Sequence, residues 1–109
     1  MFNPGDLVTA DFPGATGIKR RPAVVVSTAN YHQHRPDVIL GIITSQTLGA
    51  TTPVDYLLQD WAVAGLNRAS AFRSFFVTLP GTAVRLIGHC SERDWDAIQI
   101  CLNRAIAIH

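Results

Sequence analysis

The hydrophobic period of this chain changes once, near Ser91, and that change governs what it can fold into. Upstream, apolar residues alternate or run in short blocks. In Leu7 to Phe12, Val8, Ala10 and Phe12 share one face opposite Thr9 and Asp11, the pattern of a half-buried strand. Nearly all-apolar strands are expected at 22–27 and 38–43, forming the centre of the sheet. Val54, Tyr56 and Leu58 alternate as a fourth strand, and 70–78 and 84–89 supply the last two. Pro13-Gly14-Ala15-Thr16-Gly17 is turn chemistry, so the segment to Lys19 reads as an exposed, mobile loop. Thr28 to Asp37 reads as a polar connection whose final turn is Arg35-Pro36-Asp37. From Ser91 the period becomes helical. Ser91 is an N-cap with Asp94 three positions on, close to a capping box. Trp95, Ile98, Leu102, Ala105 and Ile106 then form a stripe opposite Asp96, Gln99, Asn103 and Arg104, one amphipathic helix of about 15 residues. Trp95 lies on that stripe, so it packs on the sheet rather than serving as a base-stacking platform. Strands in series with one closing helix make a mainly β fold, a small antiparallel β-barrel with a C-terminal α-helix.

Length and charge narrow the function classes. A chain of 109 residues is one domain over residues 1–109. Hydrophobic residues make up 48% and charged residues 16%, a balance that favours a packed core over disorder. A net charge of +1 gives no broad field to gather a polyanion. Any nucleic-acid binding must come from a local cluster. Met1-Phe2-Asn3-Pro4-Gly5-Asp6 has no basic start and no apolar core of a signal peptide, and no apolar run approaches the ~20 residues of a membrane helix. A cytoplasmic protein with no membrane contact is expected. Cys90 and Cys101 read as two reduced thiols, with a disulfide as the alternative. His89, Cys90 and Cys101 lack any recurrent ligand spacing, so no metal and no cofactor are expected.

The densest cationic cluster is Lys19-Arg20-Arg21, and it runs through Pro22 directly into Ala23-Val24-Val25-Val26-Ser27. The next apolar strand ends in the hydroxyls and amide of Thr44-Ser45-Gln46. Guanidinium groups at the head of one rigid strand and hydroxyls at the tail of another suit a phosphate. The other cations, Arg35, Arg68, Arg73, Arg85, Arg93 and Arg104, are dispersed. Taken alone, Lys19 to Arg21 could equally be a solvated loop, and Thr44-Ser45 could merely end a strand by bonding to backbone.

Gly5-Asp6-Leu7-Val8 with Asp11-Phe12-Pro13, then the Lys19 to Ser27 run, then Ile43-Thr44-Ser45-Gln46 resemble the MazF/PemK family of toxin endoribonucleases. Gly65-Leu66, Ser70, Arg73 and Ser91-Glu92-Arg93-Asp94-Trp95 are similar to its PemK-like branch. The resemblance implies an SH3-like barrel, a homodimer, metal-free cleavage of single-stranded RNA, and a cognate antitoxin that blocks the RNA site. It places Arg21 and Thr44 at the catalytic positions, with Lys19, Arg20, Ser45, Gln46 and Arg73 as RNA-binding residues. Two departures stand out. A carboxylate that some relatives carry two residues after that last arginine is Phe75 here, and Pro13 to Arg21 contains no histidine.

Cleavage of RNA by its own 2′-hydroxyl needs positioning and neutralisation of a crowded phosphorane. Arg21 can donate two N–H groups to the non-bridging oxygens, and Thr44 can donate its hydroxyl. With a pKa above ~12, Arg21 is a poor base. The open role of base has two candidates in His32 and His34, which read equally as solvated loop histidines. Two other classes stay open. One is a non-catalytic nucleic-acid-binding barrel, which would tolerate loss of Thr44. The other is a gyrase-poisoning toxin of the CcdB type, against which stands the absence of tryptophan from the terminal Ala105-Ile106-Ala107-Ile108-His109. Phe72, Phe75, Phe76 and Trp61 are expected to leave apolar surface for a dimer partner.

Overall fold

A computed structural model describes residues 2–107, so Ile108 and His109 lie outside the described residues. Strands β1 (Asp6–Gly14), β2 (Gly17–Val25), β3 (Asp37–Thr44), β4 (Tyr56–Leu57), β5 (Ala71–Pro80) and β6 (Val84–His89) form one sheet in the order β4-β5-β3-β2-β1-β6. All pairings are antiparallel, and the sheet curls into a half-barrel. Helix α1 (Ala29–His34) bridges β2 and β3, and α2 (Glu92–Ala105) closes the chain. The expected mainly β architecture with one C-terminal helix is what the chain adopts.

Strand alternation sends side chains to two cores. Val8, Ala10, Phe12, Ala23, Val25, Val38 and Leu40 pack together on one side of the sheet. On the other side Leu7, Val24, Ile43 and Phe72 meet Ile98 and Cys101 of α2 together with Leu58, Ala64 and Leu66 of the β4–β5 connection. Trp95 packs at the edge of this second core, as its place on the helical stripe predicts. Phe72, expected at the surface, is fully buried, because Gly41 across the sheet leaves its ring the space that a Cβ would take. Trp61 is half-buried against the same core. Only Phe75 (57%) and Phe76 (37%) of the four aromatic residues are exposed.

Three local readings need correction. The segment from Pro13 to Lys19 is a β-hairpin, not a loop, with pairing carried to Gly14↔Gly17 around the two-residue turn Ala15-Thr16. Gly17, where the chain leaves the turn, has φ +122°, a conformation glycine adopts without a Cβ clash. The Thr28–Asp37 connection holds helix α1, capped by the Thr28 side chain accepting the Tyr31 N–H at 3.3 Å. The fourth strand shrinks to Tyr56–Leu57, since Asp55 upstream turns back on Thr52 through its N–H and its carboxylate. Cys90 and Cys101 are both free and buried, and burial pushes the Cys90 thiol up to about 12. Among the described residues no helix is long and apolar enough to cross a membrane.

Candidate active site

The site forms where two strands stop pairing. β2 and β3 are bonded only from Ala23↔Ile42 to Val25↔Leu40. Below that point β2 continues along β1 to the hairpin, while β3 continues along β5 to Thr44↔Ala71. Pro22 stands at the split, and having no N–H it cannot extend the β2–β3 ladder. The strands part there, and the unpaired fork becomes a cleft. Continuing the Ala23↔Ile42 register across the split sets Arg21 opposite Thr44.

A cavity of about 530 Å³ occupies the fork. Lys19, Arg20 and Arg21 line it from the hairpin, and Thr44, Ser45 and Gln46 from the end of β3. Pro22, Ile43, Leu66 and Ile87 supply apolar lining. No aspartate or glutamate lines it. Lys19 and Arg21 are exposed and make no ion pair among the described residues. Arg20 gives its Nε–H to Asp11 at 3.2 Å. The structure thus joins six of the sequence-selected residues in one cationic cleft. Thr44 does bond to backbone, accepting the Gln46 N–H on Oγ1 at 3.1 Å. That bond uses a lone pair, so the hydroxyl proton stays free to be donated.

The opposite side of the cavity is the connection from Leu58 to Ser70, contributing Gly65, Leu66, Asn67, Arg68 and Ser70. Its anchor is Asp94. This carboxylate is fully buried and accepts three hydrogen bonds: from the Tyr56 hydroxyl at 2.6 Å, the Gln59 N–H at 3.0 Å and the Asp60 N–H at 2.8 Å. Its position in the first turn of α2 lets the helix dipole offset part of the cost of burying a charge. Asp94 does not reach back to Ser91 as in a capping box; the Ser91 hydroxyl instead accepts from the Asp94 N–H at 3.2 Å and donates to Asp60 at 2.6 Å. Arg93 adds two bonds to Asp60, at 3.2 and 2.8 Å, and these with Ser91 hold the Asp60 carboxyl below the usual carboxylate range. Burial and then the bond to Asp94 push the Tyr56 phenol up to about 12. Further along, the connection lies on β6. Gly88 has no side chain, so the Ala64 carbonyl sits where a Cβ would be, and Gly65 turns there with φ +100°.

The other selected residues lie elsewhere. Arg73 on β5 does not line the cavity; its guanidinium stacks on Phe75 with its carbon 4.7 Å from the ring centre and comes within 4.0 Å of the Asp55 carboxylate. His32 and His34 sit on α1, and neither lines the cavity. Ser27 Oγ accepts the Ile39 N–H at 3.0 Å and is hydrogen-bonded to His32 Nε2. His34 Nδ1 bonds the Asn30 carbonyl at 2.9 Å. His89 bonds Asp6 at 2.8 Å beside the sheet edge. Arg68, Asn67 and Thr9 are polar cavity residues that sequence reading missed. Gly65-Leu66 signals a turn before Asn67 and Arg68, but the connection that carries them is held by Asp94, far along the chain in α2. Among the described residues no group of three or more His, Cys, Asp or Glu side chains could hold a metal ion.

Solved structures share this architecture. An endoribonuclease in complex with its cognate antitoxin, from a Mycobacterial species, superposes with TM-score 0.81 at 18% identity, covering 96% of this chain and 94% of the other. The Mycobacterium tuberculosis toxin MazF-mt6 gives TM-score 0.74 at 20% identity over 92% and 94% of the two chains. The MazE-MazF complex of Deinococcus radiodurans gives 0.73 at 19% over 99% and 97%. At these identities the likeness is one of fold. No curated protein matches the chain by sequence. The sequence of residues 3–106 does match a family profile, and with the forked sheet and the Arg21–Thr44 cleft in place the chain belongs to the PemK-like, MazF-like toxins of type II toxin–antitoxin systems.

Proposed function

We infer that this toxin is a sequence-selective, metal-independent endoribonuclease that cleaves single-stranded RNA in the cytoplasm, an mRNA interferase. The observation that carries the reading is that Arg21 and Thr44 line one fork from its two arms, together with Lys19, Arg20 and Arg68 and with no carboxylate among the described lining residues. A phosphodiester entering the fork receives two N–H groups from Arg21 on its non-bridging oxygens, and Pro22 restricts the backbone from which that side chain springs. The Thr44 hydroxyl, fixed by the Gln46 N–H, donates its proton to the same phosphate. The 2′-oxygen attacks phosphorus, the bond to the 5′-oxygen breaks, and the products are a 2′,3′-cyclic phosphate and a 5′-hydroxyl. No histidine or carboxylate is among the described residues that line the cavity, and in this reading water takes the 2′ proton and supplies the one on the leaving oxygen. Such chemistry is slow, which is tolerable for a toxin that needs few turnovers. Lys19, Arg20, Ser45, Gln46 and Arg68 hold the flanking phosphates and sugars. Arg73, away from the cleft in this chain, reaches RNA only where a second protomer brings it near.

The same cleft explains a protein partner. A related endoribonuclease is solved with its cognate antitoxin, and an acid-free cationic fork suits an acidic antitoxin segment competing with RNA. The exposed pair Phe75 and Phe76 on β5 offers apolar surface to a second copy, giving a homodimer.

The test is incubation of purified toxin with a long single-stranded RNA in EDTA, followed by analysis of the cut ends. Cyclic phosphate and 5′-hydroxyl ends, with no cut where the sugar at the site is 2′-deoxy, are expected. Cutting of the 2′-deoxy site, or activity lost in EDTA and restored by magnesium, would contradict the mechanism. Binding without cleavage would favour the non-catalytic barrel.

A further inference from the structure

A second, smaller cavity of about 160 Å³ adjoins the fork. It is lined by Thr9, Arg20, Thr82, Ala83, Val84 and Arg85, and it shares Thr9 and Arg20 with the first cavity. The sharing follows from the register. Thr9 on β1 stands between Pro22 of β2 and Arg85 of β6, so Pro22 and Arg85 are two strand spacings apart, roughly 10 Å. Alternation puts Asp11 and its partner Arg20 on the same face as Thr9. Neither α2 nor the β4–β5 connection is among the residues lining this second cavity.

The charges on this strip are arranged for an anion. Arg85 is exposed and has no ion pair or side-chain hydrogen bond among the described residues. Asp11 takes only the Nε–H of Arg20, and so orients the guanidinium while its terminal nitrogens remain available. The acidic side chain nearby is therefore already engaged, and no acidic residue lines the second cavity. Thr82, in the 3₁₀ turn Gly81–Ala83, adds a hydroxyl at the rim. Arg20 thus faces both cavities and links the site of cleavage to Arg85.

We propose that the Arg20–Arg85 cavity is a second phosphate subsite for the same RNA strand, taking a backbone phosphate that flanks the one held by Arg21 and Thr44. The proposal rests on the endoribonuclease reading above. It makes the strand run from the fork across β1 to β6, over Thr9, a distance an extended single strand covers in a nucleotide or two. Arg85 acts there as a binding residue and takes no part in bond breaking.

Affinity measured against RNA length tests it. The probes are a short RNA with a 2′-deoxy sugar at the cut site, confined to the scissile step, and two versions lengthened on the 5′ or the 3′ side. For the wild-type toxin one of the lengthened RNAs should bind about tenfold tighter than the short one, with a steeper salt dependence by about 0.7 in the log–log slope for one added phosphate contact. Arg85→Glu should erase that gain and the added slope, and Arg85→Gln should reduce both in part. Thermal unfolding of each variant confirms that exposed Arg85 is not needed for folding. A gain from lengthening that survives intact in folded Arg85→Glu, or no gain on either side in the wild type, overturns the subsite while cleavage by the wild type leaves the endoribonuclease reading standing. Failure of the wild type to bind any of the three RNAs overturns both.

Discussion

The two sides of the cleft are built on opposite principles. On the hairpin side, Lys19 and Arg21 project into solvent from the stretch of β2 that pairs with β1 but not with β3, and among the described residues no acidic partner holds either. On the other side, the chain from Leu58 to Ser70 has almost no secondary structure and is tied down repeatedly. Asp94 holds its start with two hydrogen bonds and the preceding Tyr56 with a third, Arg93 and Ser91 hold Asp60, and the Ala64 carbonyl rests on Gly88. The difference shows where stability is spent. Groups reserved for a ligand are left without internal partners, and the irregular side that must face them is fixed by buried polar bonds.

Substitution on each side should therefore separate stability from activity. The largest stability effect is expected for Asp94→Ala, which leaves the Tyr56 hydroxyl and the N–H groups of Gln59 and Asp60 without their acceptor. These bonds are part-buried around a fully buried carboxylate; a donor stranded from water costs about 1–3 kcal/mol, and a total on the order of 3 kcal/mol is expected in denaturant unfolding. A loss no greater than that of an ordinary surface substitution would mean that Asp94 is not the anchor. The smallest effect concerns pH. Asp60 has a folded pKa held below its unfolded value by Arg93 and then Ser91. Its contribution to stability is therefore present above the ordinary carboxylate pKa and is lost as pH falls through the depressed folded value. The difference in melting temperature between wild type and Asp60→Asn should narrow through that acidic window. A difference that stays constant from neutral pH to strong acid would remove Asp60 from the anchoring network.

The comparison also explains what could be read from the sequence. The strands and the closing helix are written in local periodicity, so Val8-Ala10-Phe12 and the Trp95–Ile98–Leu102 stripe declare themselves. Arg21 and Thr44 are legible because each stands at the end of an apolar run, and the proline between cluster and strand marks the split. The second side is not legible, because what places it is non-local. Asp94 looks like half of a capping box until the backbone of Gln59 and Asp60 is seen against it, and Gly88 looks like a weak point in a strand until Ala64 lies on it. The hairpin reads as a loop for the opposite reason: Pro13-Gly14-Ala15-Thr16-Gly17 is turn chemistry throughout, yet pairing with β2 extends β1 to Gly14. Arg68 has no local signature at all. His32 and His34 have the right chemistry for a base, but the Thr28 cap winds them into a helix that does not line the cleft.

The central claim is that Pro22 splits the sheet so that Arg21 and Thr44 act on one phosphate from the two arms of the fork. A double-mutant cycle on single-turnover RNA cleavage tests it most directly, using Arg21→Ala, Thr44→Ala and the double variant. Loss of Arg21 should cost about a hundredfold or more in rate, by the scale of removing a donor to a developing oxyanion, with little change in unfolding because the side chain is exposed. Loss of Thr44 should cost less. If both hold the same phosphate, the double variant should be scarcely slower than Arg21→Ala alone, since the second loss removes an interaction the first has already disabled. Strict additivity of the two losses, or near-normal cleavage by folded Arg21→Ala, would contradict the account.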